Sequence, residues 1–119
     1  MKRHYDKKQA AQLPPTPVDI SMIEEGGALL LRTPEGQSMY RSDADTDGKS
    51  HCVGECSKEW PPVVPSEGAK PIGDWTIITR SDGIKQWCYQ QHPVYTYALD
   101  FPGRSGGDGK GGVWHVVKL

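Results

Sequence analysis

Apolar positions in this chain come in short runs separated by turn residues, with a period of two or none, not the 3.6 of a helix. Residues 1–19 are charged and then proline-bearing (Leu13-Pro14-Pro15-Thr16-Pro17) and follow neither period, which predicts a flexible arm crossing a surface without a core of its own. From Ala28 the texture changes. An apolar run leads to Thr33-Pro34-Glu35-Gly36, with proline at the favoured second turn position, and a second run ends at Tyr40. This predicts one hairpin. A second is predicted over 75–89, where Thr76, Ile77, Ile78 and Thr79 favour a strand and Asp82-Gly83 a turn. On its return strand Trp87 and Tyr89 should face one side and Cys88 the other. Short strands are expected at 94–97 and 113–118, separated by a glycine-rich loop.

The two halves carry the same text. Tyr40 and Tyr95, Asp45 and Asp100, Gly48 and Gly103, and Ser50 and Ser105 all recur at a spacing of 55 residues, and Lys49 and Arg104 agree in charge. Arg32 and Arg80 each end an apolar run before a glycine-bearing turn, and Trp60 and Trp114 each precede a valine pair. The predicted fold is therefore all-β: a small, mostly antiparallel domain over 20–119, built from two related β-units about a pseudo-two-fold repeat. Unit one covers about 23–64 and unit two about 72–119, with an insertion in the second copy between Arg80 and Tyr95. Two small sheets that cannot bury their apolar faces alone would share one core.

Several motifs recur in order: Tyr-x4-Asp twice, CVGECSKEWPP, ITRSDGIKQW and DGKGGVWHVV. On these the chain resembles the bacterial secreted-repeat lipoproteins, defined by Tyr-x-(Phe/Trp/Tyr)-x-x-Asp, over roughly residues 23–118. Tyr95-Thr96-Tyr97-Ala98-Leu99-Asp100 fits the full motif, whereas the first copy has Ser42 at the aromatic position. The resemblance implies an extracytoplasmic domain (periplasmic, secreted or membrane-tethered) whose lipoprotein signal lies outside this sequence, and it implies no established chemistry.

Composition adds limits. A net charge of −1 advertises no nucleic-acid patch, and no run of about 20 apolar residues is present to span a bilayer. Met1-Lys2-Arg3-His4 leads into polar residues, not a signal-peptide core. Of three cysteines, Cys52 and Cys56 are close enough for a local disulfide, which belongs in an oxidising compartment, and Cys88 stands apart as an expected buried thiol.

The polar stretch 40–56 holds most of the candidate chemistry. Asp43, Asp45, Asp47 and Gly48 reproduce positions 1, 3, 5 and 6 of an EF-hand calcium loop, but position 12 is Gly54 and no helical pattern flanks it. The alternative is a polar turn in which Asp45 caps backbone amides. Cys52 and Cys56 could open a zinc site only with Cys88, His92 or His115 as remote partners, and a copper site would add Met22 or Met39. His51 is a further candidate metal ligand, and His92 or His115 could hold a non-covalent haem. Tyr40 with Asp45, and Tyr95 with Asp100, are expected to be structural pairs, each tyrosine hydroxyl meeting the aspartate of its own turn. No nucleophile–base order argues for an enzyme, and the glycine run lacks the Gly-Lys-Ser/Thr ending of a phosphate loop. The leading expectation is a non-catalytic module of the cell envelope that contacts a polymer, a protein or a small ligand through exposed aromatics among Trp75, Trp87, Tyr89 and Tyr97. The second is a metal- or haem-binding protein supporting envelope redox chemistry.

Overall fold

A computed structural model describes residues 15–46 and 48–119. The predicted arm is outside the described residues up to position 14. Its last part is tied down: Asp19 accepts hydrogen bonds from the Trp87 indole at 3.0 Å and from the Ser66 amide and hydroxyl at 2.9 and 3.1 Å.

Among the described residues seven strands make three small antiparallel sheets. β1 (Ser21–Glu25) pairs with β2 (Ala28–Arg32) around Gly26 and Gly27, whose φ angles of 61° and 86° are those a two-residue hairpin turn requires. β4 (Trp75–Thr79) pairs with β5 (Lys85–Tyr89), which continues to β6 (His92–Pro93). β3 (Tyr40–Ser42) pairs with β7 (Trp114–Val116). A helical turn, α1 (Cys56–Glu59), starts at the second cysteine of the Cys52–Cys56 disulfide. The all-β, two-unit architecture read from the sequence is the observed one.

Backbone hydrogen bonds define the pseudo-symmetry. Leu31 and Met39 in unit one, joined to Val117, stand where Trp87 and Val94 in unit two join Val63. The amides of Tyr40 and Tyr95 exchange bonds of 2.8 and 2.9 Å across the axis. This ladder corrects one equivalence: β2 corresponds to β5, so Arg32, which ends β2, is not the counterpart of Arg80, which follows β4. The predicted insertion between Arg80 and Tyr95 falls with it, because the connection from Leu31 to Met39 is the longer one.

The ladder also shows an exchange. The final strand of unit two, β7, lies on β3 of unit one, and the segment around Pro61 and Pro62 of unit one lies on Tyr95 and Thr96 of unit two. The β3–β7 sheet is thus shared between the units. Two apolar clusters result. One holds Leu31, Met39, Trp75, Trp87, Tyr89 and Val94; the other, at the axis, holds Tyr40, Cys52, Trp60, Tyr95, Tyr97 and Trp114. Trp60 and Trp114 stack at 3.9 Å between centroids and 5° between planes.

The clusters overturn the expected aromatic contact surface. Trp75, Trp87, Tyr89 and Tyr97 are all buried. The alternation along β5 assumed one open face, but Gln86, Trp87, Cys88 and Tyr89 are all covered because the strand is packed on both sides.

Candidate functional site

At the axis the repeated motif folds on itself. Asp45 and Asp100 close equivalent turns, their amides donating to Ser42 and Tyr97 carbonyls at 3.1 and 3.0 Å. Each carboxylate then takes an amide six residues on, from His51 and Gly106 respectively, both at 2.8 Å. The second carboxylate oxygen carries the exchange: the Tyr95 hydroxyl donates to Asp45 at 2.6 Å, and the Tyr40 hydroxyl donates to Asp100 at 2.5 Å. The sequence-based expectation joined each tyrosine to the aspartate of its own unit. The structure joins it to the aspartate of the other, because the exchanged strands bring each tyrosine under the opposite turn. Ser50 adds a hydroxyl to Tyr95 at 2.5 Å, and the Gly107 amide donates to the Tyr40 oxygen at 3.1 Å.

Burial dominates the electrostatics here. Asp45 and Asp100 are 5% and 9% exposed, with their oxygens occupied by donors. Burial, with the facing carboxylate next in weight, pushes both tyrosine hydroxyls well above their ordinary range. Such hydroxyls stay protonated donors and have no use as general bases at neutral pH.

The candidate metal ligands are dispersed. Cys52 and Cys56 are bonded to each other and offer no thiolate. Asp43 faces His115 at 2.7 Å and Arg41 at 3.1 Å, and these partners hold its carboxyl below the usual range. His92 borders surface clefts together with Gln90, and His51 lies by a different cleft. Among the described residues no three His, Cys, Asp or Glu side chains form a group able to hold a metal ion. Asp47, the third carboxylate of the calcium-like run, lies outside the described residues. Cys88 is fully buried, and burial, reinforced by the Asp45 charge, pushes its thiol up to about 12.

Three of the surface clefts among the described residues are lined by polar side chains. One of about 250 Å³ is bordered by Arg41, Gln90, His92 and Lys118 above Val94 and Val117. A second, of about 520 Å³, takes in Asp45, Asp74, Gln91 and His92. Between them turn Gln90 and Gln91, whose φ angles of 49° and 67° are left-handed without being glycine. The third, of about 380 Å³, lies between the 48–51 loop and the end of β4. Sequence reasoning missed all three, since left-handed glutamines and inter-unit gaps leave no compositional mark.

A family model described as a secreted repeat of unknown function matches residues 25–64 and 76–118. The chain belongs to this family of secreted repeats. The two matched segments are the two units whose strands and hydroxyl–carboxylate bonds are exchanged. The family's description and the disulfide agree in making this secreted repeat an extracytoplasmic module. No curated protein and no solved structure matches the chain. No helix among the described residues is long and apolar enough to cross a membrane.

Proposed function

We infer that this secreted repeat is a non-catalytic binding module of the cell envelope, contacting its ligand through polar side chains at surface clefts. The observation that carries this reading is the fate of the repeated motif. Both tyrosines and both aspartates are buried and bonded to one another, so the groups with the most obvious acid–base chemistry hold the two units together. The burial of Trp75, Trp87, Tyr89 and Tyr97 removes the stacking platform that an extended polymer would need, and favours a small polar ligand or a protein.

Native mass spectrometry of protein from an oxidising host, prepared without chelator and repeated after denaturation, tests the reading. The expected mass is two hydrogens below the reduced chain, without an adduct. A stoichiometric metal or haem would overturn the reading in favour of envelope redox chemistry.

A further inference from the structure

The cleft of about 250 Å³ lies where the units exchange strands, with Arg41 on β3 and Lys118 just past β7 at its rim beside His92. Sites for drug-sized ligands run to ~300–1,000 Å³, so an occupant here is small. The repeat supplies an internal control. At the spacing of 55 residues Arg41 corresponds to Thr96 and His92 to Gln37. The ladder sets Val117 against Val63, so Lys118 corresponds to Val64, and Trp87 against Leu31, so Tyr89 corresponds to Thr33. None of these four counterparts carries a charge. One copy of the ladder folds without the cations that rim the other, so packing does not call for them.

These groups are within a ligand's reach. Lys118 and His92 are exposed. The Arg41 side chain is 35% exposed and meets Asp43 through Nη1 at 3.1 Å, while its Nε and Nη2 have no partner among the described residues. Asp43 is itself shared with His115 at 2.7 Å, and Asp74 takes the Gln90 side-chain amide at 3.3 Å. A further donor is left over. Tyr89 is 6% exposed, its ring lies 4.9 Å from that of Trp75, and its hydroxyl has no hydrogen-bond partner among the described residues. A buried tyrosine hydroxyl ordinarily finds one. The hydroxyl at the equivalent position, that of Thr33, accepts the Gln37 amide at 3.1 Å. Burial, reinforced by the Asp74 charge, raises Tyr89 above its ordinary range, so the hydroxyl keeps its proton to donate.

We propose that the cleft between Arg41, Lys118 and Tyr89 binds a small hydroxylated organic acid, its carboxylate on the guanidinium and the ammonium and its hydroxyls on Tyr89, Gln90 and His92. The Nε and Nη2 of an arginine form a fork that matches the two oxygens of a carboxylate, and a lysine adds a charge-assisted bond from the side. Val94 and Val117 beneath leave room for a short carbon body. The proposal rests on the reading of the chain as a binding module and names the ligand class for it.

The test is an ¹⁵N NMR titration of the intact chain with acetate, glucuronate and inorganic phosphate in turn, against chloride at matched ionic strength. Saturable shifts centred on Arg41, Tyr89, Gln90 and Lys118 are expected, with glucuronate bound more tightly than acetate. Lys118→Gln should weaken glucuronate about five-fold or more. Tyr89→Phe should weaken it about three-fold or more, yet leave the thermal midpoint unchanged or raised, since the hydroxyl it removes has no partner in the free protein. No saturable shift, an unchanged affinity in either variant, or a lowered midpoint in Tyr89→Phe would overturn the site. Phosphate bound more tightly than either carboxylate would overturn the ligand class. Each of these would leave the non-catalytic reading to stand or fall on the adduct measurement.

Discussion

The exchange of hydroxyl–carboxylate bonds between the units makes a prediction that a simple tandem repeat does not. Replacing Tyr95 by Phe removes the 2.6 Å bond to Asp45 and leaves a buried carboxylate oxygen and the Ser50 hydroxyl without that partner. A hydrogen bond to a charged group contributes about 1.5–3 kcal/mol, and stranding its acceptor raises the loss toward the upper end. Tyr40→Phe should cost a similar amount through Asp100, since the geometry is repeated. Single values cannot tell which aspartate is the partner. Double-mutant cycles can, using Tyr→Phe with Asp→Ala in all four combinations and equilibrium urea unfolding followed by tryptophan fluorescence with the disulfide intact. Tyr95 with Asp45 and Tyr40 with Asp100 should show coupling of about 1.5 kcal/mol or more, whereas Tyr40 with Asp45 and Tyr95 with Asp100 should be additive within about 0.5 kcal/mol. Larger coupling within a unit than between units would refute the exchange.

The same tyrosines set an alkaline limit. Their folded-state values are raised above the ordinary value of 10.0, so the folded form holds the proton more tightly than the unfolded chain does. Their contribution is fully present below pH 10 and is lost as pH rises, by up to about 1.4 kcal/mol per pH unit per tyrosine; urea midpoints that stay flat from pH 9 to 11 would contradict this. Gly107→Ala should destabilise by about 1–3 kcal/mol, because a Cβ there would lie 2.6 Å from the Trp60 ring and 3.1 Å from Tyr97, and an unchanged thermal unfolding midpoint would contradict this. Gln91→Gly should raise stability by about 0.5–1 kcal/mol by relieving a left-handed φ of 67°, and a urea midpoint unchanged or lowered would mean the glutamine side chain holds the turn. Cys88 should resist a thiol-reactive disulfide reagent in the native state and react fully in denaturant, since its thiol is buried and pushed up to about 12; native labelling on the mixing timescale would show that β5 opens.

What the sequence announced and what it hid divide along a physical line. Local geometry was legible. The β-branched run before Asp82-Gly83 gives β4 and β5, and Cys52 and Cys56 lie near enough to bridge. The equality of Tyr40 with Tyr95 was legible too, because identity of residues at a fixed spacing needs no third dimension. Which copy contacts which was not, since Tyr40 is equally a sequence neighbour of Asp45 and, once β7 lies on β3, a spatial neighbour of Asp100. Strand β1 was missed because three of its five residues are Ser21, Glu24 and Glu25, so its apolar pattern is weak, and none of the five is fully buried. The glycine-rich loop was read as loop and nothing more. Its Gly107 packs against Trp60 and Tyr97 and donates to Tyr40, a contact that requires glycine by close approach and leaves no trace in composition. The aromatics failed as a predicted surface for the opposite reason: alternation reports a strand's two faces but not whether the second face is covered.

The interlock also bears on where function can reside. A motif that must satisfy two buried carboxylates and two buried hydroxyls at once tolerates little change, and it is the same in both units. The residues outside it have diverged. The turn after each tyrosine has one backbone plan, yet it carries Ala44 and Thr46 in unit one and Leu99 and Phe101, 73% and 67% exposed, in unit two. The loop beyond each turn keeps its glycine and its cation, yet one copy is bonded to Ser38 and the other borders a cleft against the end of β4. Packing cannot require Leu99 and Phe101, because both side chains point into water and the equivalent turn folds without them. Nor does it require the open cleft, because the equivalent loop closes with two hydroxyl contacts. The features that distinguish the units are thus the ones the fold does not need. A search for the ligand should begin among them, at the Arg41–Lys118 cleft first, and not at the buried tyrosines and aspartates that define the repeat.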